Sequence, residues 1–404
     1  MFNNLAILSH ILPPSPSGQA VTIYELLKGL QGIEYCLISH KNYTNSQNNA
    51  AATEKLPAKY FYLKPLFQLP VLNKFKISPL TLTINALWGI FNRARMLRNI
   101  IRKENINLLI SCTGDLYDLP AAHFASKWSG IPHIPYIFDD YMYQWTGFRR
   151  LIAKMLEPRI LKSAADIIVA NEYMAEEYRR RYDCKSTVIH NSCQLPVLSE
   201  LDSETPLFSN QETNIVYTGA VYHANYDAFQ NLIAAFDILN RNDIKLHLYT
   251  AQSTDALKQC GIEGSMIVFH SHVNKMDMPR ILRQADILFL PLAFKSPIPE
   301  VIRTSAPGKT GEYLSSAKPI LVHAPHDSYL SWFFRRNSCG IVVDSADPIL
   351  LSIEIERLIS DQRRNEDLGK KARMVAEQEF DSGMATAEFV KLLNRIAERK
   401  YETS

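Results

Sequence analysis

Apolar and polar positions fall into a repeating order along this chain: a short apolar run, a polar turn, then a stretch with helical spacing. Residues 5–8, 35–39, 106–111, 134–138, 165–170 and 186–189 read as strands. Residues 19–30, 80–103, 119–129, 151–162 and 172–182 have helical spacing. In the long helix, Trp88, Phe91, Met96 and Ile100 fall near one side and arginines on another. The loop at 13–18, Pro-Pro-Ser-Pro-Ser-Gly, can be neither helix nor strand. Residues 41–59 are polar and read as a loop. Residues 195–210 are polar, contain two prolines and have no helical period, which marks a linker over 195–212.

The order then restarts. Strands are expected at 214–218, 244–249, 266–269, 287–290, 319–322 and 340–343. Helices are expected at 225–239, 254–259, 278–284, 348–360, 367–380 and 385–400. Asn225 is placed to cap the first of these, with Asp227 in its opening turn. Two strand–helix series joined by a polar linker predict an α/β protein of two Rossmann-like domains with a cleft between them. The expected division is 1–194, a linker at 195–212, 213–384, and a terminal helix at 385–404 packing back toward the first domain.

Composition changes this picture little. The 404 residues are too many for one ordinary core, and 47% hydrophobic with 21% charged residues suits a globular protein. The net charge of +3 names no partner, but its distribution says more. Between 70 and 103 stand Lys74, Lys76, Arg93, Arg95, Arg98, Arg102 and Lys103, with no acidic residue. This stretch, with Trp88 and Phe91, suits peripheral contact with an anionic membrane as well as it suits a core helix with a solvated basic side. Nucleic acid is not expected, because the basic stretch is local and has no accompanying motif. The six cysteines show no CxxC pair or Cys/His cluster, so neither zinc nor a disulfide framework is indicated. The opening residues lack a signal peptide's charged start and apolar core, and no apolar run is long enough to span a bilayer. A reduced, cytoplasmic protein is expected.

The candidate chemistry centres on 298–325. Pro307 and Gly308 break the chain, Lys309 follows at once, and 311–314 read as a short helix. Free N–H groups, the positive end of a helix dipole and a lysine at one spot suit a phosphate. Glu312 lies one turn deeper, where a carboxylate can accept hydrogen bonds from two vicinal hydroxyls, as on a ribose. In the first half, Gly18 marks a possible close approach of backbone to ligand. Asp115, Asp139 and Asp140 stand at carboxyl ends of strands, where ligands gather in such sheets; each would equally serve as a cap or turn residue. Most histidines lack metal-ligand spacing; only His223 and His272 are modest site candidates.

Four segments in order, ADIIVANEYMAEEYRRRYDCKSTVIHNSC, IVYTGAVYHANYDAFQNLIAAFDIL, IVFHSHVNKMDMPRILRQADILFLPL and PGKTGEYLSSAKPILVHAP, resemble GT-B glycosyltransferases of the group 1 / family 4 type. They make up about a quarter of the chain, in order between 165 and 325. The resemblance implies a nucleotide-diphosphate-sugar donor and a glycan or lipid-linked glycan acceptor, in polysaccharide or glycolipid assembly. It implies that Glu312 holds the donor ribose and Lys309 contacts donor phosphate or sugar. Gly219 and Ala220 would lie near the pyrophosphate, and the 271–273 loop, with His272 and Val273, would hold the base. There are departures. Thr304 stands where many relatives carry a glutamate, Ala220 and Val221 follow Gly219 where many carry a basic residue, and the first loop has only Gly18 where paired glycines are common. Arg303, Gly308 and Lys309 are then the donor-side candidates for the phosphate.

No DxD motif with supporting ligands stands out, so no metal and no cofactor are expected. If the enzyme inverts, Asp139 or Asp140 is the candidate base; if it retains, as many with this donor motif do, the departing phosphate takes the proton. Two competing readings remain: a sugar-nucleotide epimerase, which needs several acid/base groups, and a non-catalytic nucleotide- or glycan-binding scaffold, which Thr304 favours.

Overall fold

A computed structural model describes residues 2–41, 54–65, 78–202, 205–271 and 273–402. The chain forms two compact units, one of residues up to 190 together with those from 385 onward, the other built on 191–384.

The first unit opens with β1 (Asn4–Leu8), α1 (Gly18–Leu27), β2 (Glu34–Ser39), β3 (Lys59–Tyr62), α2 (Ser78–Lys103) and β4 (Leu108–Cys112). It continues with α3 (Asp118–Ser129), β5 (His133–Ile137), α4 (Gly147–Lys162), β6 (Ile168–Val169), α5 (Glu172–Tyr182) and β7 (Thr187–Val188). The strands form one sheet in the order β3-β2-β1-β4-β5-β6-β7, all parallel. Successive residues point to opposite faces. Leu5 and Ile7 therefore pack with Ile23, Leu26 and Leu27 of α1, while Ala6 and Leu8 pack with Ala94, Leu97 and Ile101 of α2.

β3 lies at the end of the stretch expected as a loop. Four residues, KYFY, with both ends exposed, give an edge strand too short to show in the pattern. The long helix is also turned differently from its expected sides. Ala86, Ile90, Arg93, Ala94, Leu97 and Ile101 are its buried face, and Trp88 and Phe91 point outward.

In the second unit, α6 (Leu198–Asp202) precedes β8 (Thr213–Thr218), α7 (Tyr226–Leu239), β9 (Ile244–Tyr249), α8 (Thr254–Gln259), β10 (Ile267–His270), α9 (Met278–Gln284) and β11 (Ile287–Pro291). Then come α10 (Pro299–Thr304), α11 (Thr310–Ser315), β12 (Ile320–His323), α12 (Tyr329–Asn337), β13 (Ile341–Val343), α13 (Pro348–Ser360) and α14 (Gln362–Val375). A π-helical turn at Ala376–Phe380 leads to α15 (Ser382–Glu402). The sheet order is β10-β9-β8-β11-β12-β13, again parallel throughout. Phe229, Leu232 and Phe236 of α7 pack with Leu351, Ile355 and Leu358 of α13 over this sheet.

The segment read as a linker groups with the second unit and contains α6. Polar contacts hold it: Arg283 pairs with Asp202 at 2.6 Å, and the Leu207 N–H donates to Gln284 Oε1 at 2.6 Å. Such anchors leave no apolar period to read. The helices α10 and α12 were not anticipated either. The first follows Pro299 as a short turn, and the second is an aromatic run buried by Tyr329, Phe333 and Phe334.

From residue 385, α15 belongs to the first unit, where Phe389, Leu392, Leu393 and Ile396 enter the α1 side of the core. Thr386 Oγ1 donates to Leu26 O at 2.9 Å, and Arg395 pairs with Asp166 at 2.9 Å. Phe389 is 1% exposed, so Phe389→Ala should cost about 3–5 kcal/mol in a urea unfolding curve. Met384→Ala, one turn earlier at a 52% exposed position, should shift the curve by no more than about 0.5 kcal/mol.

Candidate active site

In the second unit, β8 ends at Thr218 and the chain turns at Gly219, whose φ of +113° favours glycine. The turn is held on all sides. The Gly219 N–H donates to Tyr249 O at 2.8 Å, and the Tyr217 hydroxyl donates to Ala220 O at 2.6 Å. Gln252 clamps Val221, accepting its N–H at 2.6 Å and donating to its carbonyl at 2.8 Å. Asn225 does not cap α7 with its side chain. Its amide donates instead to Tyr217 Oη at 3.0 Å and to Ala220 O at 3.3 Å, so the turn takes what the helix forgoes. Asp227 likewise turns away from the helix and accepts from the N–H groups of Phe294 and Lys295.

Lys309 reaches this turn. Its ammonium donates to Thr218 O at 2.5 Å and sits 3.6 Å from the centre of the Tyr217 ring. A side chain at 219 would press on it, since a Cβ there would stand 3.0 Å from Lys309 Nζ. Burial pushes the Lys309 pKa down to about 7, with Glu312 opposing the shift. The start of α11 takes no side-chain cap. Tyr313 locks this helix to the strand end by accepting the Thr218 N–H at 2.9 Å, and Asn191 steadies the preceding loop by donating to Ala306 O at 2.9 Å. Sequence reading missed Tyr217, Asn225, Gln252 and Tyr313 as supports. The polar groups at the end of the apolar run at 214–218 were the available signal.

Gly219, Ala220, Lys309 and Glu312 are thus brought to one place. Gly308 is exposed just before Lys309, Arg303 is exposed in the last turn of α10, and Val273 is half-buried in the loop after β10. His272 lies outside the described residues, and His223 is exposed in the loop after the Gly219 turn. Thr304 is buried, and its hydroxyl donates back to Glu300 O at 3.3 Å.

In the first unit, the ends of β4 and β5 are stitched together. Thr113 Oγ1 accepts from the N–H groups of Phe138 and Asp139 at 2.9 and 3.3 Å. Gly114, at φ +111°, lies under the His10 ring, where a Cβ would stand 2.1 Å from Cε1. The acidic candidates separate here. Asp139 is exposed. Asp140 is buried and ion-paired to Arg181, and it also accepts from the N–H groups of Met142 and Tyr143 at 3.1 and 2.9 Å. Burial pushes its carboxyl up while Arg181 pulls it down. Asp140 is thus already engaged by Arg181 and by the backbone of the turn that follows it. Asp115 is likewise committed, pairing with Arg93 at 2.5 Å and accepting the Tyr117 N–H at 2.8 Å. Gly18 is the exposed first residue of α1, and a Cβ there would meet nothing within 4 Å, so the protein itself imposes no close approach.

Two parallel sheets, each flanked by helices, the second with an anion-suited turn at the end of its first strand, define the GT-B glycosyltransferase class. The family profile for Glycosyl transferases group 1 matches residues 212–361, and that for Glycosyltransferase Family 4 matches residues 16–195. The chain is a GT-B glycosyltransferase of the group 1 / family 4 type, and it transfers a sugar from a nucleotide-sugar donor. Among solved structures it is similar to a sucrose-phosphate synthase from Thermosynechococcus elongatus, with TM-score 0.71, 15% identity, and 98% of this chain and 100% of that chain covered. It is also similar to a glycosyltransferase from Rickettsia africae, with TM-score 0.69, 14% identity, and 98% and 99% covered. The Anabaena protein HepE, solved with UDP and glucose, matches with TM-score 0.67, 13% identity, and 98% and 100% covered. No curated protein sequence matches the chain. No helix among the described residues is long and apolar enough to cross a membrane.

Arg181 also pairs with Glu157 at 3.1 Å and Glu177 at 3.2 Å, so it serves three buried carboxylates. Arg181→Met should destabilise the protein by about 3–5 kcal/mol in urea unfolding, because it strands those charges. Burial raises the Asp140 and Glu157 pKa values above those of the unfolded chain, so stability in the variant is retained at low pH and lost as pH rises through the folded values. The deficit should therefore be larger at neutral than at acidic pH.

Proposed function

We propose that this glycosyltransferase moves a sugar from a nucleoside-diphosphate donor to a hydroxyl of a glycan or lipid-linked glycan, with retention and without a required metal. The setting is polysaccharide or glycolipid assembly at the inner face of a membrane, with the protein cytoplasmic and touching the bilayer through the 70–103 region. The observation that carries the donor half is the Lys309 ammonium braced against Thr218 O and the Tyr217 ring, beside the Gly219 turn. An ammonium whose charge is penalised by burial gains when a diphosphate arrives, and it offsets the charge that develops on the leaving group. Glu312, in the first turn of α11, accepts from the ribose hydroxyls. The backbone at Gly308, Gly219 and Ala220 meets the pyrophosphate, Arg303 supplies a second cation, and His272 and Val273 flank the base. HepE, which has also been solved with UDP-glucose, supports a uridine donor as the first to try.

Retention is favoured by the fate of the first-unit carboxylates. With Asp140 held by Arg181 and Asp115 by Arg93, Asp139 is the one exposed acid of the three, and it orients the acceptor while the departing phosphate takes the proton. The same two ion pairs count against an epimerase, which needs several acid/base groups.

Calorimetry of UDP, GDP, ADP and dTDP with and without Mg²⁺ tests the donor site. One nucleotide should bind equally well with and without metal. Glu312→Ala should weaken it by about 10- to 100-fold, as expected for hydrogen bonds to a charged group. Binding of none of the four would sink the donor assignment. A pH series gives a second check. Phosphate contact raises the Lys309 pKa from about 7, so binding takes up a proton above that pH. Affinity should fall as pH rises beyond 7, by at most about tenfold per unit, in a range where the phosphate is already fully ionised. Lys309→Met should bind more weakly and lose the slope.

A further inference from the structure

The long helix α2 carries a feature that the donor chemistry does not use. Its buried face is filled by Ala86, Ile90, Arg93, Ala94, Leu97 and Ile101. On the opposite side Ile84, Leu87, Trp88 and Phe91 are all exposed, Leu87 at 54% and Trp88 at 53%. Their spacing puts them on one stripe over two turns. The stripe continues as Arg95 and Arg102, also exposed, with exposed Lys103 beside its end, and no acidic residue occurs from 70 to 103. Phe91 is backed by Phe124 and Trp128 of α3, with ring centres 5.5 and 5.8 Å away, so the apolar half stands on a rigid aromatic base.

We propose that this stripe is a docking surface for an anionic lipid bilayer, the apolar half entering the headgroup–acyl boundary and the basic half lying against the lipid phosphates. Charge selects this occupant. A second copy laid on the same stripe would set cations against cations, or against the apolar half, uncompensated in either direction. A nucleic acid would meet the basic half but leave Ile84, Leu87 and Trp88 in water. A helix that presents aromatic and aliphatic residues beside arginines is what an interfacial surface asks for. The inference deepens the membrane-side reading of the acceptor given above, and it stands on side chains of the first unit alone.

Co-sedimentation of the full chain with phosphatidylcholine vesicles, with and without phosphatidylglycerol, tests it. The wild type should bind the anionic vesicles preferentially and release with salt. The double variant L87S/W88S should bind about tenfold or more weakly, and R95E and R102E about fivefold or more each, the ~1 kcal/mol per cation expected near such a surface. Met155→Ser, at an exposed position of α4 outside the stripe, should bind as wild type. Nucleotide binding by calorimetry should be unchanged in all of them; a failure there would touch the donor reading and not this one. The proposal is overturned if the stripe variants bind vesicles like wild type, or if no vesicle binds. It is also overturned if light scattering shows self-association that the same variants abolish. A drop in the melting temperature of L87S/W88S without lipid would mean that the stripe is packed within the protein itself, and would equally overturn it.

Discussion

A parallel strand cannot reach its neighbour by a hairpin; it needs a crossover, and the crossovers return every strand in the same direction. All the carboxyl ends of one sheet therefore lie along one edge. This single constraint gathers the candidate residues of each unit. In the first sheet it aligns Thr113, Gly114, Asp115 and Asp139 at the ends of β4 and β5, with His10 following β1. In the second it sets the Gly219 turn after β8 beside Tyr249 and His270 at the ends of β9 and β10. Residues far apart in the chain meet there because the backbone leaves them nowhere else to go.

The buried cations then sort what the edge has gathered. Arg93 takes Asp115 and Asp118, and Arg181 takes Asp140, Glu157 and Glu177. These cations are committed to carboxylates within the protein, and removing one leaves its partners stranded in a poor solvent. Lys309 is different. Its direct partners are a carbonyl and an aromatic face, neither of which carries a formal charge. Dipoles and a ring quadrupole hold a cation in place without neutralising it. That difference separates groups that keep the fold together from a group left able to meet an anion.

Much of the fold was legible because parallel strands buried on both faces are plain apolar runs, and long helices between them keep their period. Lys309, Glu312 and the Gly219 turn were legible because a Pro-Gly break, a lysine and a glutamate carry chemistry in their identities. What escaped had local signals overruled by distant ones. β3 is too short for a pattern, and α6 is held through Asp202 by Arg283, with no residue of its own buried. Asn225 has the right identity for a cap, but Tyr217 and Ala220 compete for its amide. Asp140 looks like a free acid in sequence, because nothing near it announces Arg181, forty-one residues on. Trp88 and Phe91 were placed with Met96 and Ile100, although the tight α2–α3 packing wants the small Ala86 and Ala94 inside.

The placement of α15 bears on how the protein is made. The second unit is essentially one continuous stretch of chain, whereas the first needs the residues from 385 onward to fill its core. On the ribosome, strands β1 to β7 therefore emerge with one face of their sheet short of Phe389, Leu392, Leu393 and Ile396. At ordinary elongation rates that face waits roughly 10–40 s for those side chains, while the whole second unit is synthesised. The usual order of synthesis, first domain folded first, is reversed: the later unit can close early and the earlier one closes last. During that interval the incomplete α1 face is the part of the nascent chain with most to gain from a chaperone.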